Sequence, residues 1–175
     1  MLPLTPIEFL KSTQCSPPHP KIRRYGVMLH FDDSSQDEWA VKWFKDPACH
    51  VSYNRLYLDN GDVVQITPTM EHVAWHAGQC TLRFPNTQFY GLAAATNTKV
   101  PVTEKQLASI VQDCAALFEI NGWRAATVDE RIIGHEDVAC FANGKLGRKI
   151  DPTGLHRNTP ILSTADVRRR VKALL

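Results

Sequence analysis

The chain has 175 residues, 43% apolar and 22% charged, and its 20 basic residues against 18 acidic ones leave a formal net charge of +2. That length predicts one domain able to bury a proper core, and so even a charge balance gives no electrostatic case for a nucleic-acid partner. No run of about 18 apolar residues occurs, which excludes a membrane-spanning helix. The opening Met1-Leu2-Pro3-Leu4-Thr5-Pro6 lacks a basic stretch leading into an apolar one, so no secretory signal is expected. Five cysteines, an odd number with no Cys-x-x-Cys pair, read as a chain folded reduced in the cytoplasm.

Residues 1–24 hold five of the eleven prolines and read as an extended arm, with a short helix over Ile7 to Lys11; residues 25–175 form the domain. Tyr25 to Phe31 reads as a buried strand that delivers His30. A turn at Asp32-Asp33-Ser34-Ser35 caps a short helix through Trp39, Val41, Trp43 and Phe44. His50 to Leu58 and Val63 to Thr67 flank Asp59-Asn60-Gly61-Asp62, and Asn-Gly between β-rich runs predicts a hairpin turn with positive φ at both central positions. Residues 68–88 carry no period, and so long a loop in a compact domain is more often functional than idle.

Phe89 to Thr96 reads as a further strand. Thr103 to Ile120 is the clearest helix: Thr103 and Gln106 fit a capping box, and Leu107, Ile110, Val111, Cys114, Leu117 and Phe118 share one face. Asn121-Gly122 ends it. Ile132-Ile133-Gly134 is a second apolar run closed by a histidine, His135. Ser163 to Leu175 is a terminal amphipathic helix whose Arg168-Arg169-Arg170 reads as a solvated face. Strands and helices interleave, which predicts an α/β class: a central mixed sheet with helices on its faces.

His30 and His135 close strands, and Asp151 sits in Gly147-Arg148-Lys149-Ile150-Asp151-Pro152. Two imidazoles and one carboxylate from three segments suit a three-ligand zinc site at one edge of the sheet. Such a site keeps a fourth position open, as a catalytic zinc requires for the attacking water. Lys149 lies close enough in sequence to meet negative charge developing on a substrate. A cysteine hydrolase built on Cys49 and His50 is disfavoured, because neighbours on a strand point to opposite faces.

These residues resemble the type-2, zinc-dependent N-acetylmuramoyl-L-alanine amidases, which include phage endolysins, recycling amidases and animal peptidoglycan recognition proteins. The resemblance runs from about Tyr25 to Asp151 and rests on ordered motifs. They are Met28-Leu29-His30, Val51-Ser52-Tyr53, Ala74-Trp75-His76-Ala77-Gly78, Gly134-His135-Glu136-Asp137-Val138 and the stretch ending at Asp151-Pro152. It implies cleavage of the amide between the lactyl group of N-acetylmuramic acid and L-alanine of the stem peptide. It implies Zn2+ on His30, His135 and Asp151, and catalytic roles for Lys149 and for Tyr53 near the attacking water. Arg148, Trp75 and His76 are implied as substrate-binding. Peptidoglycan or a muropeptide is the expected partner, with neither nucleic acid nor membrane, and the protein is expected as a monomer that acts on the cell wall after release. Two positions depart from the recycling enzymes. Ala93 replaces a glutamate and Phe31 a polar residue, and both changes point toward a lysin. A non-catalytic peptidoglycan receptor of the same fold is the alternative, with a recycling amidase beside it.

Overall fold

Alternation along two strands decides how the sheet is covered. β3 (Gly26–Phe31) and β7 (Phe89–Ala94) run parallel, pairing Val27 with Tyr90, Leu29 with Leu92 and His30 with Ala93. Successive side chains of a strand face opposite ways. Val27, Leu29, Tyr90 and Leu92 therefore share one face and pack with Leu107, Ile110, Leu117 and Phe118 of α3 (Glu104–Ile120) and Val167 and Val171 of α5 (Thr164–Leu174). Ala93 turns the other way, to a cluster with Ala40 and Phe44 of α1 (Asp37–Lys45), Leu56 and Val64. The sheet is thus a central layer with helices on both faces, as the interleaved sequence pattern implies.

The computed structural model describes residues 7–9, 14–18, 23–142, 145–154 and 161–175; the side chains at 7–9, 142, 145, 146 and 148 are outside that description. The remaining elements are β1 (Ile7–Phe9), β2 (Cys15–Ser16), β4 (Arg55–Tyr57), β5 (Val63–Gln65), β6 (Val73–Ala74), α2 (Pro85–Gln88), α4 (Val128–Arg131), β8 (Ile132–Gly134), β9 (Ala139–Ala142) and β10 (Lys145–Arg148). The main sheet has the order β1-β5-β4-β7-β3-β8. β4, β7, β3 and β8 are mutually parallel; β5 opposes β4 and β1 follows β5, so the sheet is mixed. Two small antiparallel pairs, β2-β6 and β9-β10, lie outside it. Among the described residues, no helix is long and apolar enough to cross a membrane.

Several local expectations change. The short helix over Ile7 to Lys11 is instead β1, at least over Ile7–Phe9, because the outer edge of β5 needs hydrogen-bond partners and these residues supply them; Leu10, Lys11 and much of the arm lie outside the described residues. The Asn-Gly turn does form a hairpin between β4 and β5, but of the two residues only Gly61 takes a positive φ, 90°. Its N–H closes on the Leu58 carbonyl at 2.8 Å, so the chain makes a three-residue loop with a left-handed glycine at its end. The strand expected from His50 shrinks to Arg55–Tyr57, since Ser52 and Asn54 give their side chains to loop backbone. The β9-β10 hairpin carried no clear period, being four-residue strands with Gly147 inside one.

One side chain fastens both ends of the aperiodic segment 68–88. Arg24, buried, donates from one guanidinium nitrogen to the carbonyls of Asn86, Thr87 and Phe89 and from the other to those of Met70, Glu71 and His72. On α3 the expected capping box is present, with Thr103 and Gln106 exchanging hydrogen bonds. Ser163 caps α5, its side chain accepting from the Asp166 N–H.

α3 also locks to the sheet through charge. Asp113 is fully buried and accepts from Arg55 at 2.5 Å and from the Tyr57 hydroxyl at 2.9 Å. Removing one partner of a buried pair strands the other charge away from water. Asp113→Ala is expected to lower unfolding free energy by about 3–5 kcal/mol, read from the urea midpoint.

Candidate metal centre

β3 and its parallel neighbour β8 carry their histidines to the same end of the sheet. His30 is the fifth residue of β3, and His135 follows the last residue of β8, opening a 3-10 turn over His135–Asp137. Asp151 reaches them from the turn after β10. The Glu136 N–H donates to the Asp151 carbonyl at 2.7 Å, tying that turn to the segment after His135. Gly134 permits the approach, because a Cβ there would stand 2.8 Å from Pro152 Cδ. His30 and His135 are buried and Asp151 half-buried, and their ligand atoms all lie within 4.8 Å of one another.

The orientation of the rings carries the chemistry. His30 Nδ1 and His135 Nδ1 stand 2.8 Å and 3.0 Å from the same oxygen, Asp151 Oδ2. Behind His30, its Nε2 lies 3.0 Å from His76 Nδ1, and His76 Nε2 lies 3.2 Å from the Phe89 carbonyl. A carbonyl only accepts, so His76 Nε2 carries the proton. Burial pushes the His76 pKa well below its ordinary value, so the ring is neutral and its Nδ1 accepts from His30 Nε2–H. Burial also brings His30 down to about 4, so that ring is neutral as well and its one proton is already placed. A lone pair on His30 Nδ1 then faces Asp151. An imidazole lone pair and a carboxylate oxygen at 2.8 Å repel unless a cation joins them. The donor set therefore fits a metal ion, and the outer hydrogen bond that fixes a ligand's tautomer is usual for histidine ligands. His135 has a similar backing: its Nε2 lies 3.3 Å from Cys140 Sγ.

Gly91 makes room for this arrangement. It sits on β7 two residues before Ala93, and a Cβ there would come within 2.6 Å of the His76 ring.

The other expected residues divide. Tyr53 is 8% exposed, its ring 5.0 Å from that of His30 and 5.6 Å from Phe44 of α1. Burial, with the charge of Asp151 behind it, raises its pKa well above the usual phenol value, so it stays protonated. Lys149 is exposed, two residues from Asp151, and its charge reaches both His30 and Cys140. The Arg148 side chain lies outside the described residues; its backbone pairs with Ala139. Trp75 does not meet the histidine cluster. It is 38% exposed, its indole N–H donates to Ser16 Oγ at 3.1 Å, and it lines a cavity of about 390 Å³ with Leu82 and Phe84. His76, expected at the substrate surface, is only 6% exposed and stands behind His30, which suits it to hold a ligand rather than to touch substrate.

Two features near the centre escaped the sequence reading. Asp32, two residues after His30, has one carboxylate oxygen buried with no partner among the described residues, and burial raises its pKa. The second is Cys140, which stands against His135. The alternative pairing of Cys49 with His50 does not form: the Cys49 thiol donates to the Val51 carbonyl and His50 is exposed.

Known proteins bear on this geometry. A family model described as N-acetylmuramoyl-L-alanine amidase matches residues 21–154. No curated protein matches the chain. Among solved structures, an AmpD crystal structure aligns with TM-score 0.69 at 20% identity, over 97% of this chain and 94% of that one. The Staphylococcus aureus hydrolase AmiA, in complex with its ligand, aligns with TM-score 0.67 at 15% identity, over 99% and 86%. An endolysin amidase from Clostridium intestinale aligns with TM-score 0.57 at 15% identity, over 85% and 91%. The structural matches share the fold, the family match spans most of the chain with all three clustered ligand residues inside it, and the chain belongs to the N-acetylmuramoyl-L-alanine amidase family.

Proposed function

We propose that the chain hydrolyses the amide between the lactyl group of N-acetylmuramic acid and the first L-alanine of the stem peptide, with zinc held by His30, His135 and Asp151. We infer for it the role of a phage-type endolysin or related cell-wall lytic effector that works as a monomer on peptidoglycan. The observation that carries the metal is the convergence of two ring nitrogens and a carboxylate oxygen, all within 4.8 Å of one another. Two neutral imidazoles and one carboxylate are a zinc donor set, and bound zinc supplies an activated water and polarises the amide carbonyl.

The chain's own groups do the rest. Lys149 brings an ammonium to the open side, where negative charge grows on the carbonyl oxygen as the carbon becomes tetrahedral. Tyr53 keeps its phenolic proton and offers it as a donor over His30. Arg148, next to Lys149, binds the stem peptide, a role that rests on the family resemblance alone. Trp75, with Phe84, presents aromatic surface on which a pyranose ring can stack. His76 orients His30 and touches no substrate.

The lysin role rests on Ala93. It pairs with His30 across the β7–β3 ladder and is fully buried, so the glutamate of the recycling enzymes has no counterpart there. Phe31 gives less support than its position suggests. It follows His30 in β3 and so points to the opposite face, away from the centre. A receptor that binds without cleaving would not need the ligand set kept together.

The decisive assay is turbidity loss of purified peptidoglycan with and without chelator, followed by mass analysis. Chelator-sensitive release of stem peptides with a free L-alanine amino terminus is the expected result; binding with no new amino terminus would establish the receptor instead. Intact sacculi should be cleaved at least tenfold faster than soluble anhydro-muropeptide, and the reverse preference would return the enzyme to recycling. Asp151→Ala should lose zinc and activity together, whereas Lys149→Ala should keep one zinc per chain and lose most turnover. His76→Ala should bind zinc about 10–100-fold more weakly, the usual cost of losing an outer partner of a metal ligand, as read by competition with a chromophoric chelator. Unchanged affinity would reduce His76 to packing.

A further inference from the structure

Cys80 and Cys140 stand directly opposite each other as an isolated antiparallel pair. The Thr81 N–H donates to the Ala139 carbonyl at 2.9 Å and the Phe141 N–H to the Gln79 carbonyl at 2.8 Å, so the hydrogen bonds bracket the two cysteines. That is the non-hydrogen-bonded type of cross-strand pair, in which the Cα atoms lie about 4.5 Å apart and the side chains approach most closely. A disulfide accepts Cα separations of about 4.4–6.8 Å, so the backbone is already in range. Both cysteines are free thiols. Cys80 is half-buried and open to a reagent; Cys140 is buried, with its sulfur against His135 Nε2.

We propose that Cys80 and Cys140 form a modification site: a thiol pair that a low-molecular-weight disulfide, such as oxidised glutathione, converts to an intramolecular disulfide, clamping the loop that carries Trp75 and His76 to the strand behind His135. The Cys80 sulfur, its proton lost, attacks one sulfur of the reagent. The reagent's S–S bond breaks, and the first glutathione leaves and takes up that proton. The Cys140 sulfur, losing its own proton, then attacks Cys80 and expels the second glutathione. The protein gives up two hydrogens, and one reagent disulfide becomes two thiols. The new bond closes a loop of about 60 residues, which restricts the unfolded chain strongly. Reduced inside the cell, the chain would acquire the clamp in an oxidising space. The inference holds whichever bond the metal centre cleaves.

The test uses the folded, zinc-loaded full chain. It is incubated with oxidised glutathione, its remaining thiols are alkylated, and it is examined by peptide mass mapping and thermal melting. The expected result is one Cys80–Cys140 cross-link and a melting temperature roughly 10 °C higher, both reversed by dithiothreitol. Cys80→Ser should abolish both effects, and Cys15→Ser should leave them in place. Cys80 is the informative variant because its half-exposed thiol can be lost without opening the core; its melting point in reductant should match that of the parent. The proposal fails if the folded protein keeps both sulfurs alkylatable, if Cys80 stops at the mixed disulfide, or if the cross-link joins another cysteine. A cross-link with no change in melting temperature would likewise overturn the clamp.

Discussion

The Phe89 carbonyl can only accept hydrogen bonds, and the metal centre inherits its polarity from that constraint. It takes one proton from His76, which must therefore accept from His30, which must therefore turn a lone pair toward Asp151. Reversing any ring in the relay would bring two lone pairs or two protons together inside a buried space. The tautomer of His30 is thus set by backbone four positions along the ladder, before any cation arrives. The same carbonyl also accepts from Arg24, which uses its second lone pair and leaves no room for a competing donor.

The sheet enforces the rest by parity. Because β3 and β7 run in register, His30, Gly91 and Ala93 share a face, and only a glycine at 91 leaves space for the His76 ring. The opposite parity sends Val27, Leu29 and Leu92 into the α3 core. One strand thus serves the core and the metal centre at once. His30 is thus held as an interior residue of a parallel ladder rather than at a loop tip.

The three residues that cluster were legible in the sequence because each carries a local sign: an apolar run ending in histidine, twice, and an aspartate before a proline. Helix α3 was legible for a similar reason, since its cap and its period lie within the helix itself. The strand β1 was not, because Ile7–Phe9 adopts it only by meeting Val63–Gln65, far along the chain. His76 was recognised as belonging near the cleft, but its side of the metal was not. That depends on a missing Cβ at Gly91 and a carbonyl at Phe89, on a different strand. The nearness of Cys80 to Cys140 is likewise a fact of pairing between segments, with no trace in spacing.

Arg24 has a kinetic corollary. Its six acceptors lie on two stretches, 70–72 and 86–89, at the two ends of the loop that carries His76. A loop fastened at both ends by one planar ion cannot fray from either side. Opening it costs those guanidinium hydrogen bonds as well as the Asn54 amide's bonds to the Met70 and His72 carbonyls. A cation lodged behind His76 would therefore exchange with solvent slowly for reasons unrelated to how tightly it is bound, and its residence time would be set by an arginine that never comes near it.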